Sequence, residues 1–275
     1  MSAPAATRRL LPASATRRLP RWLDGLLEAM GLPLVLLGLW ALSALLAPNR
    51  YFPAPWRIAE AFVKTWVGES FFVDVLPSIW RLLIGLALAI IIGIAVGLLI
   101  GSVRWLRQFV EPVFEFFRAV PPPMLVPLLA LTLGIGDTAK IAVIVAGAVW
   151  PILLNTVEGV RAVDTVQRET ATSYQLSTLQ RVIFITLPSA GPQIMAGIRQ
   201  SLSIGIILMV ISEMTNSSSG LGLRITFFQQ NFQIPEMWSG IVLLGFIGIA
   251  LAVLFQIAEH FVLGWYRGLK ETERA

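Results

Sequence analysis

Apolar residues come in six long runs along this chain, separated by short polar stretches: Gly31 to Ala47, Ile79 to Gly101, Phe109 to Leu133, Thr138 to Val160, Gly191 to Met214 and Met237 to Val262. Each is near the roughly 20 residues that a helix needs to cross a bilayer core. The third run carries Pro121-Pro122-Pro123 and Pro127. Proline removes a backbone donor and crowds the preceding turn, so this run reads as one broken span or as two half-segments. The pattern predicts an all-α polytopic membrane bundle of about six transmembrane helices.

Between the runs, Pro55 to Val67 places Ile58, Ala59, Phe62, Val63 and Trp66 at helical spacing, with Arg57, Glu60 and Lys64 between them. This is an amphipathic helix for the outer membrane face, with Trp56 and Trp66 at headgroup depth. Thr215 to Gly222 is polar and glycine-bearing, hence a loop. The domain plan is a basic tail over 1–30, a first span with the external segment over 31–74, the main membrane domain over 75–262 with a cytoplasmic loop at 161–190, and a tail over 263–275.

Composition sharpens the class. Hydrophobic residues make up 56% of the 275 and charged residues 13%, about half the charged share usual in a soluble domain. The mean hydropathy is +0.76. With no cysteine and His260 as the one histidine, thiolate and histidine-rich metal sites are excluded. The net charge of +5 reads as a cytoplasmic-loop surplus, not a nucleic-acid surface. With the tail inside, the inner segments hold Arg8, Arg9, Arg17, Arg18, Arg21, Arg104, Arg107, Arg161, Arg168, Arg181, Arg267, Lys270 and Arg274. The outer ones hold Arg50, Arg57, Lys64 and Arg224. Positive charge lies inside, and a seventh span would export the basic C-terminus. Thr7-Arg8-Arg9 lacks the apolar region that an export signal needs directly after it.

The second run has a further regularity. Gly85, Ala89, Gly93, Gly97 and Gly101 recur every four residues and so line one helix face. Small residues in such a strip let a second backbone approach closely, in a bundle seam or a dimer.

The long polar segment on the basic side, Arg161 to Ala190, holds two helix-start patterns. Asp164-Thr165-Val166-Gln167 and Ser177-Thr178-Leu179-Gln180 have the form of capping boxes. Two short helices meeting near Leu176 follow, with Leu187-Pro188 expected to break the second before the next span. A helix pair standing in the cytosol either packs back on its own bundle or docks a cytoplasmic partner.

Within this segment Glu169, Ala171, Ile185, Leu187 and Pro188 fall in register with the E-A-A-x3-G-x9-I-x-L-P signature of the permease subunits of ATP-binding-cassette importers. Thr170 stands for the first alanine and Gln175 for the glycine. From Trp56 to Val262 the chain resembles that family. Phe117 to Pro122, Gly134-Ile135-Gly136 with Lys140, Pro151 to Thr156 and Ser218 to Gly222 resemble its nitrate, sulfonate and taurine branch, with pyrimidine-precursor permeases as relatives. The resemblance implies the type I importer permease fold in a bacterial inner membrane, carrying a small solute. It implies a second permease copy, a separate ATPase that holds ATP and Mg, and an extracytoplasmic solute-binding protein. Glu169, Thr170, Ala171, Gln175, Ile185, Leu187 and Pro188 would then couple the permease to the ATPase. No G-x-x-x-x-G-K-[ST] phosphate loop occurs in the chain, as suits a permease subunit with no cofactor of its own.

Ionisable and polar groups at membrane depth are functional candidates. Arg199, Gln200 and Ser203 in the fifth run, Asn155 with Thr156 late in the fourth, and Glu213 near the outer end are the solute-pathway candidates. Arg199 is either the pathway cation or the partner of a neighbouring carboxylate, and Glu213 a gate or binding-protein contact. Glu111, Glu115 and Arg118 share one helical face and are read as neutralising one another. Glu259 and His260 fall at the inner end of the last run. A secondary transporter would leave the loop signature unexplained, and the chain has no nucleophile or metal constellation for a membrane enzyme.

Overall fold

The prolines decide where the long helices start and bend. The computed structural model describes residues 21–215 and 217–266, apart from the side chains of 21–29 and 118. Of the tails expected over 1–30 and 263–275, residues 1–20 and 267–275 lie outside the described residues, as does the side chain of Arg118. The chain divides into two units, 1–55 and 56–275. In the first, helix α1 (Arg21–Leu46) begins ten residues before the expected apolar start and carries the apolar stretch Met30–Leu46.

In the second unit the helices are α2 (Pro55–Trp66), α3 (Leu76–Ser102), α4 (Arg104–Ala119), α5 (Leu125–Leu133), α6 (Asp137–Arg161), α7 (Thr165–Ser173), α8 (Thr178–Arg181), α9 (Leu187–Met214), α10 (Leu221–Gln230) and α11 (Ile234–Val262). Among the described residues, four helical runs are long and apolar enough to cross a membrane: 71–102, 137–161, 178–214 and 234–262. Counting the bent pair α4 and α5 as one crossing gives a fifth, and α1 is the shorter counterpart of the first apolar run.

The third run resolves into that bent pair. Arg104–Phe117 and Pro122–Leu133 meet at 75°. Val120 and Pro121 are extended and a single 3-10 turn covers Pro122–Met124, because a residue before proline is pushed out of the helical region. Phe117 stacks on Trp150 of α6, with ring centroids 6.0 Å apart.

Two further prolines are absorbed instead of breaking a helix. Leu-Pro opens both α3 and α9, and each time a π-helical turn precedes it, over Phe71–Val75 and Val182–Thr186. Leu76 N donates to the Phe71 carbonyl and Leu187 N to that of Val182. The wider turn relieves the crowding that proline imposes. This corrects the expected break at Leu187-Pro188. Residues 178–214 form one 37-residue helical run, about 55 Å long at 1.5 Å per residue. That exceeds the hydrocarbon core by some 25 Å.

The core is α3, α6 and α9. Built Cβ atoms on Gly93, Gly97 and Gly101 would stand 2.9 Å from Ile152 Cβ, 2.6 Å from Thr156 Cβ and 2.8 Å from Val160 Cβ, and Gly85 meets Ile144 in the same way. The pairs keep a constant offset, so α3 and α6 run parallel in register with the small-residue strip between them. Ala89 in the same strip is fully buried. On the other side of α6, Gly159 presses on Ala190 and Gly197 on the Pro151 carbonyl and Asn155. Ser201 Oγ donates to the Ala148 carbonyl at 2.6 Å. There the numbers run in opposite directions, so α6 and α9 are antiparallel.

The amphipathic α2 does not turn Trp66 outward toward headgroups. Trp66 is buried, its indole donates to Ser239 Oγ of α11 at 2.9 Å, and its ring meets Phe228 of α10 edge-on. Trp56 is exposed, as an interfacial residue would be. Of the segment Thr215 to Gly222 read as loop, Leu221 and Gly222 open the helix α10.

Candidate functional site

Two constructions stand at the ends of the bundle core. At the end reached by the C-terminus of α6, Asp164 caps α7 by accepting from Val166 N at 2.9 Å. Ser177 and Gln180 form a full capping box on α8. Arg168 reaches back to the last carbonyls of α6, donating to Val160 O at 2.8 Å, where a cation also meets the negative helix end. Ser189 Oγ of α9 donates to Gln167 Oε1 at 3.0 Å. The helical loop is thus fastened to α6 through Arg168 and to α9 through Ser189, besides being continuous with α9.

The signature residues divide by direction. Ala171 is buried, and Ile185 lines a cleft of about 250 Å³ with it, between the loop and the ends of α3 and α6. Glu169 and Thr170 are exposed, Leu187 is exposed and Pro188 half-buried. Val166, Tyr174, Leu179 and Phe184 add exposed apolar surface to the loop.

Gln175 occupies the position of the signature glycine and is left-handed, with φ of 52°. Its N–H donates to Thr172 O, and Leu176 N–H donates to Ala171 O, both at 3.0 Å. This is the Schellman ending of α7, which glycine ordinarily completes because it bears no Cβ. Gln175→Gly is therefore expected to stabilise the loop by about 1 kcal/mol, seen as a higher thermal midpoint of the purified chain. A lower midpoint would show that the glutamine side chain holds the turn.

At the opposite end of the core lies a buried ionic cluster. Glu213 of α9 has no exposed surface. It accepts from Ser78 Oγ at 2.8 and 2.7 Å, from Arg81 Nη1 at 2.7 Å and from Gly222 N at 3.1 Å. Arg81, 3% exposed, also donates from Nη1 to the Ser219 carbonyl at 2.9 Å, from Nη2 to the Ser219 hydroxyl at 2.8 Å and from Nε to Asp137 at 2.8 Å. Ser78 Oγ also accepts from Leu221 N at 2.9 Å, and Asp74 lies 3.5 Å from Arg224. Gly220 has φ of 127°, and a Cβ on it would collide with the Glu213 carboxylate, so only glycine lets the loop turn over that group. The cluster binds α3, α6, α9 and the start of α10 at one point. The loop motif Ser218 to Gly222 supplies much of its backbone.

The pathway candidates do not all converge. Arg199 pairs with Glu259 and lies over the Phe255 ring. Arg199 and Ser203 line a cleft of about 270 Å³ between α9 and α11. Asn155 turns its amide to the Pro151 carbonyl at 2.8 Å, and Gln200 is exposed. Glu213 is buried in the cluster, so its side chain offers no surface to a binding protein in this conformation. Glu111 and Glu115 are exposed on α4. Sequence reasoning misses Arg81, Ser78, Asp74 and Asp137. A signal for Arg81 does exist: it is the lone charge of the second apolar run, and a buried charge needs a partner.

Residues 85–263 match the family described as the inner membrane component of binding-protein-dependent transport systems. The chain belongs to that family. It is 30% identical over 260 residues to the putative aliphatic sulfonates transport permease protein SsuC of Bacillus subtilis (strain 168), covering 92% of this chain and 93% of the relative. It is 28% identical over 247 residues to the taurine transport system permease protein TauC of Escherichia coli (strain K12), covering 86% and 89%. It is 28% identical over 191 residues to the nitrate import permease protein NrtB of Synechocystis sp. (strain ATCC 27184 / PCC 6803 / Kazusa), covering 70% of each. The fold is that of the MetNI methionine ABC transporter chain in inward-facing conformations, with a TM-score of 0.57 and 22% identity, over 69% of this chain and 93% of that one. This chain is thus the membrane-embedded permease subunit of an ABC importer, an inner-membrane transport component and not an enzyme.

Proposed function

We propose that this permease imports a small oxyanion, that a partner ATPase holding ATP and Mg docks on the helical loop 164–186, and that the working unit contains two copies of this chain. The three relatives are named for aliphatic sulfonates, taurine and nitrate; all of these carry an oxyanion group. From Gly85 to Gly101 the glycine contacts leave no room for a solute between α3 and α6, and at Gly159 and Gly197 none between α6 and α9. A pathway therefore runs along an outer face of this core, and a second copy would close it. The solute-binding protein would meet the end that carries the ionic cluster, since the loop 161–190 falls on the positively charged, inner side.

The observation that carries the docking reading is the loop itself. It is tied to α6 and α9, yet it keeps Glu169 and several apolar side chains exposed. Such a surface on a rigid support suits a partner groove. Glu169→Lys is expected to leave membrane insertion and yield unchanged while co-purification with the ATPase falls about tenfold or more, as reversal of an interfacial charge costs several kcal/mol. Wild-type co-purification together with wild-type stimulation of ATP hydrolysis would remove Glu169 from the contact.

A further inference from the structure

We propose that Arg81 and Lys140 form a binding site for the oxyanion group of the solute, and that the Asp137 carboxylate takes the oxyanion's place in this conformation. The proposal rests on the oxyanion reading above. Lys140 stands in the first turns of α6, 4% exposed, and its ammonium has no hydrogen-bond partner among the described residues. A buried ammonium without partners is costly, so something must compensate it. The charged groups around it are Arg81, Asp137 and Glu213.

One oxygen serves both cations. Asp137 Oδ1 lies 2.8 Å from Arg81 Nε and 4.0 Å from Lys140 Nζ. The two anions of the group differ sharply in environment. Glu213 is fully buried and held by Ser78 and the Gly222 amide as well as Arg81. Asp137 is 62% exposed, and no other side-chain hydrogen bond of it is seen among the described residues. Asp137 can leave to water at low cost, whereas Glu213 cannot. When it leaves, Arg81 Nε and the Lys140 ammonium face one position with a net surplus of one positive charge. An oxyanion fits that position as the carboxylate does, accepting from a guanidinium nitrogen and an ammonium. A small cavity of about 10 Å³ beside Lys140, lined by Ser212 and Thr215, is enough for one water-sized group. The site therefore forms as Asp137 moves out.

The test uses the full-length chain in lipid-supplemented detergent and needs no ATPase. Asp137→Asn keeps an acceptor for Arg81 but removes the internal anion. Sodium sulfate, sodium nitrate and taurine are compared with sodium chloride at matched ionic strength, reading the thermal midpoint against concentration. Asp137→Asn is expected to gain a saturable, oxyanion-specific rise that wild type shows weakly. In Asp137→Asn with Lys140→Met the half-saturating concentration should increase at least about tenfold, the loss that one charge-assisted hydrogen bond carries. No oxyanion-specific rise in Asp137→Asn, or an equal rise in the double variant, overturns the site. Uptake in vesicles tells the two failures apart. Wild-type uptake of taurine or nitrate with no thermal response in Asp137→Asn overturns the site alone. Uptake confined to uncharged solutes overturns the oxyanion reading and the site with it.

Discussion

Gly93→Leu should abolish the folded bundle, whereas Gly245→Leu should leave it intact. A Cβ at Gly93 already stands 2.9 Å from both Cβ and Cγ2 of Ile152 and 3.3 Å from the backbone nitrogen of Leu153. Those atoms belong to a β-branched side chain near its root and to a helix backbone, so neither swings away. Relief requires α3 and α6 to separate. Overpacking a core by a few methylenes costs about 1–3 kcal/mol. Here the whole register from Gly85 to Gly101 would open, including contacts to Thr156 and Val160, so the cost exceeds that range. Gly245 of α11 has nothing within 4 Å and is exposed, so leucine there meets only surroundings already apolar. The measurement is the yield of monodisperse protein and its thermal midpoint, the two variants side by side. Equal behaviour of Gly93→Leu and wild type would mean that α3 and α6 do not pack along this strip.

The same contacts show what a sequence pattern can and cannot carry. A four-residue spacing of small residues defines a helix face, so the seam of α3 is legible in the amino-acid sequence alone. Its partner is not, because Ile144, Ile152, Thr156 and Val160 look like any apolar span. The motif Pro151 to Thr156 gains its physical reason only from the fold. Ile152 and Thr156 receive the glycines of α3, while the Pro151 carbonyl and Asn155 meet Gly197 of α9. Helix starts at Asp164 and Ser177 are legible because capping is local in sequence. The continuity through Pro188 is not, since a π-helical turn has no composition of its own and is chosen by the relief it gives. Trp66 is misplaced by its pattern for a related reason: an aromatic residue on an amphipathic helix has the same spacing whether it faces headgroups or a second helix. The ionic cluster draws on residues from 74 to 224, and no local pattern joins them.

These local facts make a path for force. The loop 164–186 is held to the end of α6 by Arg168 and runs without a break into α9. The α6 helix is in close contact with α3 through the glycines. A push on the loop therefore reaches all three core helices, and the far ends of those helices meet in the cluster of Arg81 and Glu213. The bonds between Arg81 and Glu213 hold these helices in one arrangement, which would link the proposed ATPase side to the proposed solute side without requiring a deformable core.

Arg81→Met should lose more stability than any conservative exchange elsewhere among the described polar residues. It removes the guanidinium that neutralises Glu213, which has no exposed surface and no second cation within 4 Å among the described residues. Breaking a buried pair from one side leaves an uncompensated charge and costs about 3–5 kcal/mol. Ser219 would lose both of its bonds to Arg81, freeing the loop before α10. Glu213→Met strands Arg81 in turn, although Asp137 still neutralises part of its charge, so that variant should be the milder of the two. The double variant, Arg81→Met with Glu213→Met, leaves neither ion of the pair buried, and replacement of a buried ion pair by apolar groups is often neutral or stabilising. It should therefore recover most of the midpoint lost by Arg81→Met, a coupling of about 2–3 kcal/mol in a double-mutant cycle. Recovered stability should not bring recovered transport, because the clamp on the loop and the cation at the solute side are both gone. The cycle is read by thermal unfolding of the four proteins, with uptake measured on the two that fold best. Additive losses in the double variant would show that the two charges do not act as a pair. Full transport by the double variant would show that the cluster is a structural fastening with no part in the solute path.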